Sequence, residues 1–304
     1  MGTLRAGSIL TGFAGLTLPL MPLQAGLVRF APSLARRLPH WYHRRVCRLI
    51  GVRLDIEGEV ARDRPVLLVA NHTSWLDIPV LSAVAPVSFV AKKEVGTWPG
   101  VSALARLQRT VFVDREKRSA VGETASEIIQ RLAAGDSIVL FAEGTSSDGN
   151  RVLPFRTSLF AAAKPSVAAK PASTANADAS GVLARAVVQT ISIAYTRLHG
   201  VPLNRADRPL IGWYGDMDLP PHAWKLLKAG PIDARIVVGA PVPLDHFADR
   251  KALARHSEDE VRTNVVRALR GLAPNAPVTP TRPVSGPAPV RRRQNDADSA
   301  GRMV

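Results

Sequence analysis

Val66-Leu67-Leu68-Val69-Ala70 runs without a break into Asn71-His72-Thr73-Ser74-Trp75-Leu76-Asp77, and this stretch decides the fold. The apolar run is too short for a buried helix. It is five residues long and rich in β-branched residues, and so reads as a strand. Similar runs recur at 87–91 (VSFVA), 110–113 (TVFV), 138–142 (IVLFA), 191–195 (ISIAY) and 235–239 (RIVVG). Between the third and fourth runs, Val121, Ala125, Ile128 and Leu132 fall at helical spacing with Gly135 behind them as a C′ residue. Strands alternating with helices predict an α/β fold with a mixed sheet of about six or more strands flanked by helices. A last helix over 257–272, with Val261, Val265, Val266 and Leu269 on one face, closes it.

The first run delivers His72 to the carboxyl end of a strand, where ligand sites of α/β sheets lie. An imidazole titrates near neutrality and can take a proton from a hydroxyl, while a carboxylate on its other nitrogen fixes the tautomer. Asp77 is the candidate carboxylate. Residues five apart on one helix are about 140° out of register, so the pair needs a turn between them, and Ser74 is the natural N-cap to provide it. Spacing alone favours the plainer reading of Asp77 as a first-turn acid in a capping box.

Composition narrows the partners. The 304 residues, 46% of them hydrophobic, suffice for a large core, and 40 Lys and Arg against 25 Asp and Glu give a net charge of +15. No acidic residue precedes Asp55, whereas Arg5, Arg29, Arg36, Arg37, Arg44, Arg45, Arg48 and Arg53 do. The uncharged run 6–28 is long enough to span a bilayer, although Pro19, Pro22 and Gln24 argue against a straight span. Residues 36–48 (RRLPHWYHRRVCR) mix arginines with Trp41, Tyr42 and two histidines, as suits a headgroup layer. Residues 1–53 therefore read as a membrane anchor on the cytoplasmic side, the positive segment after the apolar run opposing a cleaved signal peptide. The competing reading is an ordinary N-terminal helix packed on the domain with its arginines solvated. The single cysteine, Cys47, excludes an internal disulfide and any multi-cysteine metal site. The stretch 164–186 reads as a flexible surface insertion, and the proline- and arginine-rich tail 273–304 as disordered.

The company His72 keeps is specific. NHTSWLD resembles the His-x-x-x-x-Asp block of the glycerophosphate and lysophospholipid acyltransferase family. VFVDR (111–115) resembles its second block, and FAEGT (141–145) with Leu153-Pro154-Phe155-Arg156 its third. The resemblance covers roughly 54–243 and implies an acyltransferase domain over 54–272. It makes His72 the general base toward a lysolipid hydroxyl, Asp77 its partner, and Arg115 with the Glu143-Gly144-Thr145 turn the binders of the acceptor head group. It implies no metal, no bound cofactor and no covalent acyl-enzyme, with acyl carrier protein or coenzyme A thioester as donor. The product expected first is phosphatidic acid from 1-acylglycerol-3-phosphate. Ser146 stands where members acting on phosphate-bearing acceptors commonly carry arginine. The stretch 213–219 (WYGDMDL) and 230–233 (GPID) are similar to bacterial members that include lyso-ornithine lipid acyltransferases, the alternative acceptor. The fourth block keeps its strand, 189–193, without the usual proline.

Other classes fare worse. Gly144 and Gly149 have phosphate-loop spacing, but Asn150 and Arg151 replace the Lys and Ser or Thr that loop needs. No Gly-x-Ser-x-Gly elbow exists for a hydrolase. An inactive membrane scaffold is the non-enzymatic alternative, and nucleic-acid binding is not expected because the basic excess flanks the apolar run. The expected partners are membrane lipids, a lysolipid acceptor and the acyl donor, at the inner membrane if the source is bacterial.

Overall fold

The computed structural model describes residues 1–114, 120–161 and 185–274. Arg115, nearly all of the expected insertion and residues 275–304 of the tail lie outside the described residues.

Nine strands among the described residues form one mixed sheet in the order β1 (Val52–Glu57), β8 (Ile232–Val238), β6 (Val187–Leu198), β2 (Val66–Ala70), β5 (Ser137–Phe141), β3 (Val87–Lys92) and β4 (Val111–Val113). The two short strands β7 (Val201–Pro202) and β9 (Val242–Pro243) add to β6. From β6 to β4 every neighbour is parallel, while β8 runs antiparallel to β6 and β1 parallel to β8. The apolar runs are continuous because both faces of the sheet are covered. In β2, Val66, Leu68 and Ala70 enter one core, and Leu67 and Val69 the other. The first core lies under α1 (Gly2–Phe30), α2 (Pro32–Ile50), α3 (Asp77–Val84) and, beyond the short α4 (Val101–Leu107), α6 (Leu219–Ala229). The second lies under α5 (Ala120–Ala133) and α7 (Arg250–Leu269).

Two expected helices form with small differences. α5 presents buried Ile128 and Leu132 to the sheet. α7 starts earlier than its apolar pattern, because the Asp249 carboxylate caps it by accepting from the Ala252 amide at 2.7 Å. Val261 and Val265 are buried, but Val266, one helical step of about 100° onward, is exposed rather than on the apolar face.

The N-terminal segment departs from expectation. α1 is continuous through Pro19 and Pro22, and with α2 it forms an antiparallel hairpin. Each proline removes one backbone bond, and side-chain bonds to neighbours hold the helix across the loss. The Thr17 and Tyr42 hydroxyls meet at 2.7 Å, and buried Gln24 donates to the carbonyls of Ala35 and Leu107, both at 2.9 Å. α1 is long and apolar enough to cross a membrane, and Leu4, Leu18, Leu23 and Phe30 are exposed along it. On α2 the rings expected at the headgroups divide. Trp41 is exposed beneath Arg45, but His40 and His43 turn inward to the carbonyl and hydroxyl of Ser82, and Tyr42 turns to α1. Burial lowers the His43 imidazole to about 4, so it is a neutral packing group. Burial also pushes the Cys47 thiol up to about 12, leaving it inert.

At the amino ends of the parallel strands, Asp136 gathers three arginines. Arg109 grips it through two nitrogens at 2.8 and 2.9 Å, and Arg131 and Arg36 complete the group.

Candidate active site

At the opposite, carboxyl ends of the strands the chain leaves β2 and turns sharply before α3. That turn, at Trp75 and Leu76, is the break the His72–Asp77 pairing required. His72 Nδ1 lies 2.8 Å from Asp77 Oδ2. The same oxygen accepts the amides of Thr73 at 2.7 Å and Ser74 at 3.0 Å. Asp77 thus makes the capping-box bond and the histidine contact with one carboxylate. The Ser74 hydroxyl is buried without a hydrogen-bond partner, so Ser74 does not cap α3 as expected.

Asp77 Oδ1 accepts from the Tyr195 hydroxyl at 2.7 Å, and the carboxylate is fully buried. Burial, and next the negative charge of Asp77, raise the Tyr195 phenol well above its usual value, keeping it a donor. Tyr195 sits on β6 and was not a sequence candidate. With Nδ1–H given to Asp77, the imidazole presents Nε2 as an acceptor, and Nε2 has no partner among the described residues. The ring stacks on Phe141, centroids 4.0 Å apart, and keeps 18% of its side chain exposed. Such a ring is fixed in plane, fixed in tautomer and reachable.

Glu143 joins the site from beyond the end of β5 with both carboxylate oxygens committed to backbone amides. Its two oxygens accept the amides of His72 and Leu153, each at 2.8 Å, which pins the backbone under the histidine. Burial pushes its carboxyl up to about 8 against the pull of those two donors. Gly144 follows at φ 74, a left-handed conformation that favours glycine, and its amide is turned back to the Phe141 carbonyl at 3.1 Å. Of this turn only Thr145 is exposed. The structure therefore gathers His72, Asp77, Glu143, Gly144 and Thr145, while Arg115 falls outside the described residues.

Further supports come from contacts that sequence spacing does not signal. Asn71 clamps the backbone of Ile193 through both ends of its amide, at 2.9 and 2.8 Å. The Ser147 amide donates to the His72 carbonyl at 3.0 Å, and the Trp213 amide to the Thr73 carbonyl at 2.9 Å.

Comparison with known proteins finds relatives along most of the chain. Residues 52–174 match the family model described as Acyltransferase. The chain is 46% identical over 271 residues to the lyso-ornithine lipid O-acyltransferase of Brucella abortus, covering 89% of this chain and 97% of that one. It is 30% identical over 217 residues to the 1-acyl-sn-glycerol-3-phosphate acyltransferase of Neisseria meningitidis, covering 70% of this chain and 76% of that one. Among solved structures, the 1-acyl-sn-glycerophosphate acyltransferase of Thermotoga maritima has the same fold, with a TM-score of 0.61 and 23% identity over 90% of this chain and 97% of that one.

Proposed function

The chain belongs to the acyltransferase family and is a lysolipid O-acyltransferase, and from this premise we propose that it acylates the free hydroxyl of lyso-ornithine lipid, giving ornithine lipid. The observation that carries the chemistry is the 2.8 Å contact between His72 Nδ1 and Asp77 Oδ2, with Nε2 left without a protein partner among the described residues. His72 takes the acceptor proton at Nε2 as the hydroxyl oxygen attacks the thioester carbonyl. The tetrahedral adduct then collapses, the carbon–sulfur bond breaks, and the imidazolium returns its proton to the departing thiolate. Asp77 holds the ring and stabilises the imidazolium between these steps. Thr145 and Arg115 serve the head group, and Glu143 and Gly144 set the turn beneath it.

Two observations favour the ornithine acceptor: the relative at 46% identity, and Ser146, which offers no guanidinium fork to a phosphate. The second reading, acylation of lysophosphatidic acid to phosphatidic acid, is favoured by the relative named for that acceptor. For location, residues 1–53 act as the anchor. The apolar side chains exposed along α1 suit the bilayer, and Trp41 beside Arg45 suits the headgroup level of the cytoplasmic leaflet.

The test is transfer from labelled acyl carrier protein and from labelled acyl-coenzyme A, using full-length protein in mixed micelles with both acceptors in parallel. Preferred formation of ornithine lipid supports the reading. Preference for lysophosphatidic acid establishes the second, and transfer to neither contradicts both.

A further inference from the structure

A second cleft adjoins the catalytic pair without including it. Its lining brings Asn71, Thr73 and Tyr195 together with Arg151, Arg208 and Val265. Asn71 and Thr73 flank His72 in the chain, and the Tyr195 hydroxyl holds Asp77. The His72 ring stacks on Phe141 of the first core, whereas Val265 belongs to the second, so the cleft lies round the end of the sheet from the ring.

The cleft holds positive charge that the protein leaves unanswered. Arg208 is half-buried. Its terminal nitrogens donate to Asn150 Oδ1 at 3.1 Å and, at a long 3.4 Å, to the Leu203 carbonyl, while its Nε is buried with no hydrogen-bond partner. Arg151 is exposed, and neither arginine forms an ion pair among the described residues. The neighbouring Asp148 spends its carboxylate oxygens on the amide and side chain of Asn150, each at 3.0 Å, and feels the charges of both Arg151 and Arg205. Three guanidinium groups against one carboxylate leave the rim positive. A half-buried guanidinium with an unmet donor is costly to keep unless an anion completes it, and a phosphate fits two such forks.

The anion of an acceptor head group sits only a few bonds from the hydroxyl that His72 deprotonates, and does not reach round the catalytic turn. The phosphate of a thioester donor stands at the far end of the long pantetheine arm and does. We propose that Arg151 and Arg208 form the subsite for the phosphate of the donor's phosphopantetheine arm, a group common to acyl carrier protein and coenzyme A. The inference rests on the thioester-donor reading and goes beyond it by naming the residues that hold the donor.

The experiment compares acyl-phosphopantetheine with acyl-pantetheine, which lacks only the phosphate, using full-length protein in mixed micelles with the acceptor it prefers. Loss of a charge-assisted contact is about a tenfold effect or more, so wild-type kcat/KM falls by that factor without the phosphate, mainly through the donor KM. Arg208→Gln and Arg151→Gln each shrink the ratio between the two donors, and the double variant brings it near one. The ratio is internal to each preparation, so a smaller folded fraction does not alter it. The double variant loses equally on acyl carrier protein and on acyl-coenzyme A. A wild type indifferent to the phosphate, or variants that keep the parental ratio, overturn the inference. So does a loss confined to one carrier, which assigns the arginines to parts the carriers do not share, or a rise in acceptor KM of equal size with both small donors, which assigns the anion to the acceptor. No transfer from any thioester contradicts the thioester-donor reading itself and the inference with it.

Discussion

Asp77 and Asp136 are buried to the same degree at opposite ends of the same parallel strands, yet they are surrounded by opposite chemistry. Asp136 is met by three guanidinium groups, more positive charge than it can neutralise. Asp77 is met by two backbone amides, a phenol and an imidazole, none of them permanently charged. Around Asp136 the electrostatics are complete in the resting protein, and the cluster ties α2, the segment before β4 and the α5–β5 turn together. Around Asp77 the one group able to become a cation is His72, so the strongest interaction forms only when His72 takes a proton. At contact distance and an effective dielectric of about 20, that pairing is on the order of 4 kcal/mol, or about a thousandfold in rate. A buried carboxylate thus serves architecture or catalysis according to whether its countercharge is permanent or made during the reaction.

The largest effect that sharpens this contrast comes from His72. Substitution by alanine is expected to lower kcat by about 10²- to 10⁴-fold, while the thermal midpoint stays near that of the parent, read by calorimetry alongside transfer.

Next is Tyr195→Phe, which removes one neutral donor from Asp77. The carboxylate keeps its two amide donors but is held less firmly against His72, so kcat/KM falls by about tenfold or less with a thermal midpoint near that of the parent, read by transfer assays alongside calorimetry.

The smallest effect concerns Glu143, whose carboxyl is raised from its ordinary value to about 8. A raised folded-state value means that the folded protein holds the proton more tightly than the unfolded chain. The stabilisation is fully present below about 4.5 and is lost as pH rises through about 8. Between these limits stability declines by on the order of 1 kcal/mol per pH unit, and Glu143→Gln flattens that slope in denaturant titrations at several pH values.

Much of this was legible before any coordinates. β2 matches its apolar run residue for residue, and His72 at its end is where the pattern put it. β6 is longer than the run 191–195 because Gln189 and Thr190 lie inside it, the Gln189 amide being satisfied by Ala61, Glu59 and Gly239. β1 carries a different signal from the continuous runs: Val52, Leu54 and Ile56 alternate with Arg53, Asp55 and Glu57, the period of a strand with one wet face, and the three charges pair across to Asp233 and Arg235 on β8. Helix α1 survives two prolines through bonds to α2 and to the Leu107 carbonyl, contacts distant in sequence. The same holds for the Tyr195 hydroxyl on Asp77 and the Ser146 hydroxyl on the Trp213 carbonyl, which join residues 118 and 67 positions apart. Spacing along the chain reports periodic burial and local turns, and it carries no record of which side chain closes over a site from another strand.

The most direct measurement sets Asp77→Asn beside Asp136→Asn, with kcat/KM and the thermal midpoint determined for each. Asp77→Asn is expected to lose about a thousandfold in kcat/KM with a midpoint close to the parent. Asp136→Asn, which leaves three arginines without their carboxylate, is expected to lose about 3–5 kcal/mol of stability while its folded fraction turns over at the parental rate. An Asp77→Asn enzyme of near-parental activity, or an Asp136→Asn enzyme crippled in turnover yet undiminished in stability, contradicts the account.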